Sequence, residues 1–432
     1  MAMNAQHVSY LIIGGGLAGS AAAQAIRLRD AGGSIVIVGQ EINRPYNRPP
    51  LCRQYLLRKT GRAAMMTVPL GWYSDNQVQL ITGQRVTRLD VGRNLAALDT
   101  GAEVVFDKAL IATGVLPRPL NVPGAELPNV YDLRTIEDAE QIIHAMDKAR
   151  SEGRLHDAEN PAGPRGRVAV IGGGLLGVEL CETFTTAGLK VDLFVSGVHP
   201  WSRFAGEQAG GFLARHLAAH GVTMHTNAHV AHLQGDGRAQ RVFTDDQRSF
   251  ETDFVVTAIG TVLNRDILRG TSINAEKQVL VDERCRTNVE HVYAAGDCAA
   301  VLDPLFGKHR VLEHWNSARL LGSIAGANMA GDTTAKYDLV NQYATEIFGL
   351  HASVWGESKH VAHRHTRRFP DGKGLIEFGV SPTNRLSETL AIGADRSIES
   401  TLHDMVKNRI DVSGKIEQLI DPAVELTSLA GT

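Results

Sequence analysis

Two glycine motifs in the 432-residue sequence have the spacing of loops that hold a dinucleotide. The motifs are Gly14-x-Gly16-x-x-Gly19 and Gly172-x-Gly174-x-x-Gly177. Glycines at this spacing allow a tight turn and bring backbone N–H groups close to a pyrophosphate, which the N-terminus of the following helix attracts. Two such loops predict two bound dinucleotides, and a flavin with a nicotinamide coenzyme is the most economical pair.

Each glycine loop lies between a predicted strand and a predicted helix, which is the context that the motif requires. Apolar residues 10–13 precede the first loop, an alanine-rich helical run follows it, and residues 34–38 form the next strand. The second loop repeats this order, with a strand over 168–171, a helix through Thr186 and a strand over 190–195. One chain therefore carries two strand, loop, helix and strand units.

The strands that follow the two loops determine which ribose groups can be bound. In the first unit Gln40 occupies the position where an acid is expected to bind the adenosine ribose, and Glu41 follows it. In the second unit the strand ends at Phe194-Val195-Ser196 without a carboxylate, and Arg203 is too distant in sequence to assign to a 2′-phosphate. The choice between NADH and NADPH therefore stays open.

Three further apolar segments end in small residues, as expected where a chain passes beneath a cofactor. They cover residues 110–114, which end at Thr113 and Gly114, residues 255–260, and residues 292–298, which contain Asp297. A Gly-Asp sequence at the end of a strand can direct its carboxylate at the ribityl chain of a flavin. The alternative interpretation of Asp297 is a simple helix N-cap.

Composition excludes several classes of function. A net charge of -3, with 43% hydrophobic and 21% charged residues, is typical of a globular chain and favours neither nucleic acid nor a membrane as partner. No apolar run approaches the roughly 18 residues of a membrane helix. The N-terminal sequence lacks the pattern of a signal peptide. The four cysteines lack the spacing of a metal site and fit a reducing compartment, so we expect a cytoplasmic protein without metal.

The remainder of the chain divides at two places. Residues 150–167 are rich in proline, glycine and charge, and predict a solvated loop that leads into the second unit. From about residue 331 onward, alternating strand-like segments replace the glycine loops, and residues 398–419 are predicted to be helical. We expect a third domain there.

The order of the motifs resembles that of the FAD-dependent ferredoxin and rubredoxin reductases of the pyridine nucleotide-disulfide oxidoreductase superfamily. The segment Arg44-Pro45-Tyr46-Asn47-Arg48-Pro49-Pro50-Leu51-Cys52-Arg53 carries this resemblance. So do the Ala-Thr-Gly segment that continues to Arg118, the Gly-Asp segment and Glu313-His314-Trp315. The resemblance covers nearly the whole chain and is far more specific than either glycine loop.

The resemblance implies an α/β, glutathione-reductase-like fold with two Rossmann-type dinucleotide-binding domains and a C-terminal α/β domain. The FAD-binding domain is expected over residues 1–120 and 252–330, and the NAD(P)H-binding domain over 121–251. The C-terminal domain is expected over residues 331–432.

The resemblance also implies roles for individual residues. The family has a lysine near flavin N5 that pairs with a glutamate after the second glycine loop, and the corresponding residues here are Arg53 and Glu179. An arginine keeps the positive charge that favours electron density on the reduced flavin, although its geometry differs from that of lysine. Trp315 is expected near the flavin and the nicotinamide. Besides the loop glycines, the expected cofactor-binding residues are Glu41, Arg48, Thr113, Gly114, Asp297, Glu313 and His314.

The implied activity is transfer of a hydride from NADH or NADPH to FAD, followed by transfer of single electrons to a ferredoxin or rubredoxin, by a monomer or homodimer. Two departures from the family pattern leave alternatives open. Cys52 replaces a serine where a helix N-terminus can lower a thiol pKa, and Tyr343-Ala344-Thr345-Glu346 replaces a Phe-Trp-Ser-Asp-like segment. These departures would suit an NADH oxidase or a disulfide reductase that uses Cys52, whereas the alternative interpretation of Cys52, which the absence of a second nearby cysteine favours, is an inert small residue. A redox-sensing flavoprotein similar to apoptosis-inducing factor is a further alternative.

A basic stretch in the C-terminal part of the chain offers a possible docking surface. It contains Lys359, Arg364, Arg367 and Arg368, with histidines interspersed. Such a stretch could attract an acidic ferredoxin by electrostatic steering, or it could be the solvated edge of a sheet.

Overall fold

The computed structural model describes residues 6–152 and 165–430. Most of the loop predicted over 150–167 lies outside these residues, and its described N-terminal part continues the preceding helix through Glu152. Within the described residues, no helix is both long and apolar enough to cross a membrane.

Strands make up most of the regular structure. In chain order they are β1 (Gln6–Ile13), β2 (Ile35–Gly39), β3 (Val78–Thr82), β4 (Val86–Asp90), β5 (Leu95–Leu98), β6 (Glu103–Ile111), β7 (Leu116–Pro117), β8 (Val130–Asp132), β9 (Arg167–Ile171), β10 (Lys190–Phe194), β11 (Val222–His225), β12 (Val230–Gln234), β13 (Arg241–Thr244), β14 (Ser249–Glu251), β15 (Phe254–Thr257), β16 (Thr261–Val262), β17 (Val279–Val281), β18 (Val292–Ala294), β19 (Ala299–Asp303), β20 (Lys308–Val311), β21 (Gln342–Ile347), β22 (Leu350–Gly356), β23 (His363–Arg368), β24 (Leu375–Val380) and β25 (Leu386–Ile392).

Helices connect many of these strands. They are α1 (Leu17–Arg27), α2 (Arg62–Met65), α3 (Gly71–Asp75), α4 (Ile136–Glu152), α5 (Leu175–Thr186), α6 (Glu207–Ala219), α7 (Trp315–Met329), α8 (Glu399–Lys407), α9 (Ile416–Ile420) and α10 (Thr427–Ala430). A π-helical turn covers Leu51–Tyr55, and 3₁₀ turns cover Asp266–Leu268, Ser358–His360 and Arg396–Ile398.

The first of two compact units comprises Met1–Pro50, Thr60–Leu116 and Thr261–Asp338. Its main sheet has the order β3-β2-β1-β6-β5-β4, with β18 added in parallel beside β6. The strands β1, β2 and β6 are parallel, and the carboxyl-terminal residues of each strand are apolar and buried. Helix α7 packs directly on α1, since a Cβ on Gly322 would lie 2.2 Å from the carbonyl oxygen of Ala18.

The second unit comprises Leu51–Lys59, Pro117–Gly260 and Leu339–Thr432. It contains a parallel sheet of order β11-β10-β9-β15-β8 and a small antiparallel sheet of order β12-β13-β14. A third sheet, of order β21-β22-β25-β24-β23, is antiparallel throughout.

The predicted α/β class with two Rossmann-type parallel sheets is confirmed. The helix predicted over 398–419 is wrong as a continuous element. The chain forms α8, leaves the helical conformation after Asn408, pairs Asp411 with Arg385 in a β-bridge, and resumes as α9. Arg409 has φ +45°, a left-handed conformation that ends the helix.

Candidate functional site

The first glycine loop is shaped by close backbone contacts. Gly14 has φ +127°, and a Cβ there would lie 2.1 Å from the carbonyl oxygen of Ala112. A Cβ on Gly19 would lie 2.2 Å from the carbonyl oxygen of Gly14, so α1 can approach the loop only if residue 19 is glycine. Gly16 differs, because a Cβ there would meet no atom within 4 Å. This open space in front of the α1 N-terminus fits an anionic diphosphate.

The second glycine loop repeats this geometry. Gly172 has φ +117°, and a Cβ there would lie 2.3 Å from the carbonyl oxygen of Ala258. A Cβ on Gly177 would lie 1.8 Å from the carbonyl oxygen of Gly172, whereas a Cβ on Gly174 would meet no atom within 4 Å. Each unit therefore presents one open cradle at a helix N-terminus, and each cradle suits one dinucleotide.

Several predicted cofactor residues in the first unit meet at one edge of its sheet. Strands β1, β6 and β18 run in parallel, so the turns at Gly14, Thr113 and Asp297 follow the carboxyl ends of neighbouring strands. The thiol of Cys298 interacts with Thr113 and with the backbone of Gly114. Ligands of open α/β sheets bind at this edge.

Glu41 and Arg48 form an ion pair within the first unit. An Nη2–H group of Arg48 donates to Oε1 of Glu41, and the Tyr46 hydroxyl donates to Oε2 of Glu41 at 2.5 Å. Burial alone would lower the pKa of Arg48, but the charges of Glu41 and, to a smaller extent, Asp297 raise it above its ordinary value. The arginine therefore links the segment after β2 to the Gly-Asp turn electrostatically.

The Glu313-His314-Trp315 segment leads into α7. Glu313 accepts a hydrogen bond from the Thr261 hydroxyl at 2.6 Å. Trp315 is the first residue of the helix and is 41% exposed, and the Arg319 guanidinium lies 5.8 Å from its ring centroid. The indole is therefore not a core-packing side chain in this unit.

Arg53 and Glu179 lie together in the second unit. Nη2 of Arg53 is 3.2 Å from Oε1 of Glu179, and Nη1 of Arg53 is 3.7 Å from Oε2 of Glu182. Arg53 belongs to the π-helical turn, and both glutamates lie on one face of α5. Thr345 on β21 also contacts this pair: its hydroxyl donates to Oε1 of Glu179 at 2.6 Å.

The surroundings of Cys52 distinguish between the two interpretations of this residue. It lies in the π-helical turn, and its thiol donates to Oε2 of Glu179 at 3.1 Å. Burial, reinforced by the charge of Glu179, raises the pKa of Cys52 well above its ordinary value. The direction of this shift favours a protonated thiol and agrees with the interpretation of Cys52 as an inert small residue, which argues against a nucleophilic role in an oxidase or disulfide reductase.

Two arginines that the sequence did not assign converge beside the second glycine loop. A Cβ on Gly260 would lie 3.6 Å from Nη2 of Arg203 and 3.9 Å from Nε of Arg118. Gly172 of the second glycine loop packs against the backbone of Ala258, which follows β15, as Gly260 does. Cationic side chains here can bind phosphates, and the signal that could have revealed them is the presence of Arg203 in the loop after β10.

The basic stretch is not the exposed surface that was expected. The Arg364 guanidinium contacts the buried carboxylates of Glu377 at 2.8 Å and Glu388 at 2.7 Å. Arg367 is buried and donates to the backbone carbonyls of Pro422 and Val424. The proposed docking surface is therefore wrong for Arg364 and Arg367, because their charges serve internal contacts.

The two open cradles on parallel sheets define the class of the chain as a two-dinucleotide α/β protein. The sequence model of the pyridine nucleotide-disulphide oxidoreductases matches residues 8–322, and the chain belongs to this family. The membership predicted from the motif order is confirmed.

Individual relatives agree with this assignment. The chain is 30% identical over 353 residues to the benzene 1,2-dioxygenase system ferredoxin–NAD(+) reductase subunit of Pseudomonas putida, covering 82% of this chain and 81% of that one. It is 26% identical over 328 residues to the rubredoxin–NAD(+) reductase of Pseudomonas putida, covering 76% and 81%. A chain of the covalent putidaredoxin reductase–putidaredoxin complex superposes with a TM-score of 0.88 over 99% of both chains, and at 22% identity this likeness concerns the fold.

Proposed function

We propose that the protein is an NADH-dependent flavin reductase that passes electrons to a ferredoxin or a rubredoxin. The observation that carries this proposal is the pair of open cradles, one in each unit, in a chain whose relatives are named ferredoxin–NAD(+) and rubredoxin–NAD(+) reductases. The cofactors are FAD and NAD(H). When bound, FAD supplies the chemistry that accepts a hydride and releases electrons.

Each unit contributes a different set of residues. In the first unit the loop of Gly14, Gly16 and Gly19 would hold the FAD diphosphate, with Asp297 available for hydroxyl groups. The paired Glu41 and Arg48, with Thr113, Gly114, Glu313 and His314, would complete the FAD site. Trp315 would lie near the flavin and the nicotinamide.

In the second unit the loop of Gly172, Gly174 and Gly177 would hold the NADH diphosphate. Arg53, held by Glu179, would provide a positive charge that favours the reduced flavin. No nucleophile or general base is needed for this chemistry.

The test is anaerobic stopped-flow reduction of the bound flavin by NADH and, separately, by NADPH, followed by mixing with a plant-type ferredoxin or with a rubredoxin. We expect rapid reduction by NADH and rapid reoxidation by one of the two iron proteins. Slow turnover, with an NADH-dependent change in mass, would instead favour a redox sensor. Reduced flavin that persists until oxygen or a disulfide is admitted would contradict the proposal.

The state of the thiols supports a proposal for the location of the protein. All four cysteines are free and buried, which suits the reducing cytoplasm, and we infer a cytoplasmic protein that acts as a monomer or a homodimer.

Arg203→Ala is expected to raise the KM for NADH about tenfold with little change in kcat, because it removes a cation from the proposed phosphate site while leaving the reacting groups in place. The matched control is Arg215→Ala, which removes an exposed arginine of α6. Steady-state kinetics with NADH as the varied substrate makes the measurement. An unchanged KM, or a loss confined to kcat, would show that Arg203 does not bind the coenzyme.

Arg53→Met is expected to slow flavin reduction by NADH about tenfold, because methionine lacks the positive charge that would stabilise the reduced flavin. Arg53→Lys is the control, since it keeps the charge and should retain most of the rate. Stopped-flow absorbance of the flavin measures both. Equal rates for the methionine and wild-type proteins would exclude Arg53 from the chemistry.

A further inference from the structure

Three side chains of the second unit meet at the hydroxyl group of Thr345. Its Oγ1 lies 2.6 Å from Oε1 of Glu179 and 2.8 Å from Nη2 of Arg53. A guanidinium can only donate and a carboxylate can only accept, so the direction of both bonds is fixed. The Thr345 hydroxyl accepts from Arg53 and donates to Glu179. It is therefore a directional bridge between the cation and the anion.

The second oxygen of Glu179 is also held. The Cys52 thiol donates to Oε2 at 3.1 Å, and Thr183 fixes the Cys52 backbone by donating to its carbonyl oxygen at 2.6 Å. The raised pKa of Cys52 keeps the thiol protonated, so that it remains a donor. With a donor on each oxygen, the Glu179 carboxylate has one preferred orientation.

These contacts join three separate segments of the second unit. Arg53 and Cys52 come from the π-helical turn, Glu179 comes from α5, and Thr345 comes from β21. The N–H group of Phe348, just after β21, donates to Oε1 of Glu182 at 3.0 Å and provides a second link to α5. Gly174 is the N-cap of helix α5, so the network is attached to the helix that forms the proposed coenzyme cradle.

We propose that Thr345 is a positioning residue for flavin reduction, whose hydroxyl sets the direction of the Arg53 guanidinium and the Glu179 carboxylate. This inference rests on the proposed function. Without the hydroxyl, the 3.2 Å contact between Arg53 and Glu179 remains, but Glu182 at 3.7 Å competes for the same guanidinium. The cation then has two carboxylate partners and no bridge that selects between them.

The test compares Thr345→Val, which keeps the shape of the side chain but removes the hydroxyl, with Thr345→Ser, which keeps the hydroxyl. In anaerobic stopped-flow experiments on the holoenzyme, we expect Thr345→Val to lower the limiting rate of flavin reduction about tenfold. The Kd for NADH should change less than about twofold, because the cradle itself is intact. Thr345→Ser should restore the rate, and Thr366→Val, on another strand of the same sheet, serves as the control for threonine replacement.

A second readout is independent of turnover. In thermal unfolding, Thr345→Val should have a lower melting temperature than wild type. The same substitution should lower the melting temperature less when it is made in the Glu179→Gln variant, because the Thr345 hydroxyl has then lost its carboxylate partner. Additive effects, a serine variant as slow as the valine variant, or a valine variant as fast as wild type would overturn the inference. Failure of the wild-type flavin to be reduced by NADH would instead contradict the proposed function.

Discussion

Gly16→Val should abolish retention of FAD, whereas Gly174→Val should leave FAD bound and lower the efficiency of flavin reduction by NADH by roughly 100-fold or more. Both glycines are the N-caps of their helices, with φ of -95° and -79°, values that valine adopts without strain. A Cβ at either position meets no protein atom within 4 Å. The added side chain therefore occupies only the space assigned to a cofactor.

This pair of variants assigns one cofactor to each loop. FAD content is measured from the flavin absorbance of the purified protein, and NADH reactivity is measured by stopped-flow reduction. Gly32→Val is the matched control, because a Cβ there also meets no atom within 4 Å and the residue lies in an exposed bend that precedes β2. Loss of FAD in both variants, or normal NADH reactivity of Gly174→Val, would contradict the assignment.

Glycine replacements elsewhere in the same loops cannot make this distinction. A side chain on Gly14 or Gly177 would clash with backbone at 2.1 Å or 1.8 Å, so loss of the cofactor would be mixed with loss of the local fold. In the sequence, the glycines that pack against backbone cannot be told apart from the glycines that face the cofactor space. They differ because one class contacts the protein and the other faces open space.

The parallel parts of the fold were predictable because their signals are local. A strand, a glycine turn and a helix occupy about 20 consecutive residues, and their apolar periodicity identifies each element. The α5 helix ends at Thr186, as the sequence predicted. The segment around Arg48 was found through its motif, although its ion pair with Glu41 required the structure.

Contacts between distant segments were not predictable in the same way. Thr345 meets Glu179 across 166 positions, and no pattern in either segment indicates the other. Arg203 and Arg118 likewise converge on Gly260 from separate loops. The sequence shows which side chains are present, but long-range register decides which of them meet.

The sequence of the C-terminal sheet did not indicate that several of its charged side chains are buried. Strand β25 reads Leu-Ser-Glu-Thr-Leu-Ala-Ile, and its three consecutive polar residues would ordinarily be expected to reach solvent. All seven residues are buried, because β25 is central in its sheet and both of its faces are covered. The basic residues of β23 were interpreted as exposed for the same reason, whereas Arg364 reaches the acids of this core.

Glu388 on β25 should make the stability of the protein fall as pH rises from about 5 to 8. Its side chain is 1% exposed and shares the single guanidinium of Arg364 with Glu377, while Glu357 adds a further negative charge. Glu377 also accepts a hydrogen bond from the N–H of Gly206, at the start of α6, at 2.7 Å. Burial, partly offset by Arg364, raises the pKa of Glu388 from 4.5 to about 8.

The sign of the effect follows from proton linkage. Because the pKa is higher in the folded state, the folded chain binds the proton more tightly than the unfolded chain does. The stabilisation is fully present below pH 4.5, the ordinary value, and is lost as pH rises through about 8. Between these two pKa values, 4.5 and about 8, the loss should total on the order of 5 kcal/mol, since one pKa unit corresponds to about 1.4 kcal/mol.

Urea unfolding of the holoenzyme, followed by circular dichroism between pH 5 and 9, tests this expectation. Glu388→Gln removes the titrating proton while keeping a polar group of similar size, so its unfolding free energy should depend less steeply on pH than that of wild type. Glu417→Gln, an exposed glutamate in α9, is the control and should follow the wild-type curve. The difference in slope is diagnostic, because a general loss of packing in Glu388→Gln would displace its curve without changing its slope. Parallel curves for Glu388→Gln and wild type would show that Glu388 already ionises in the folded protein at neutral pH, with Arg364 sufficient to hold both carboxylates.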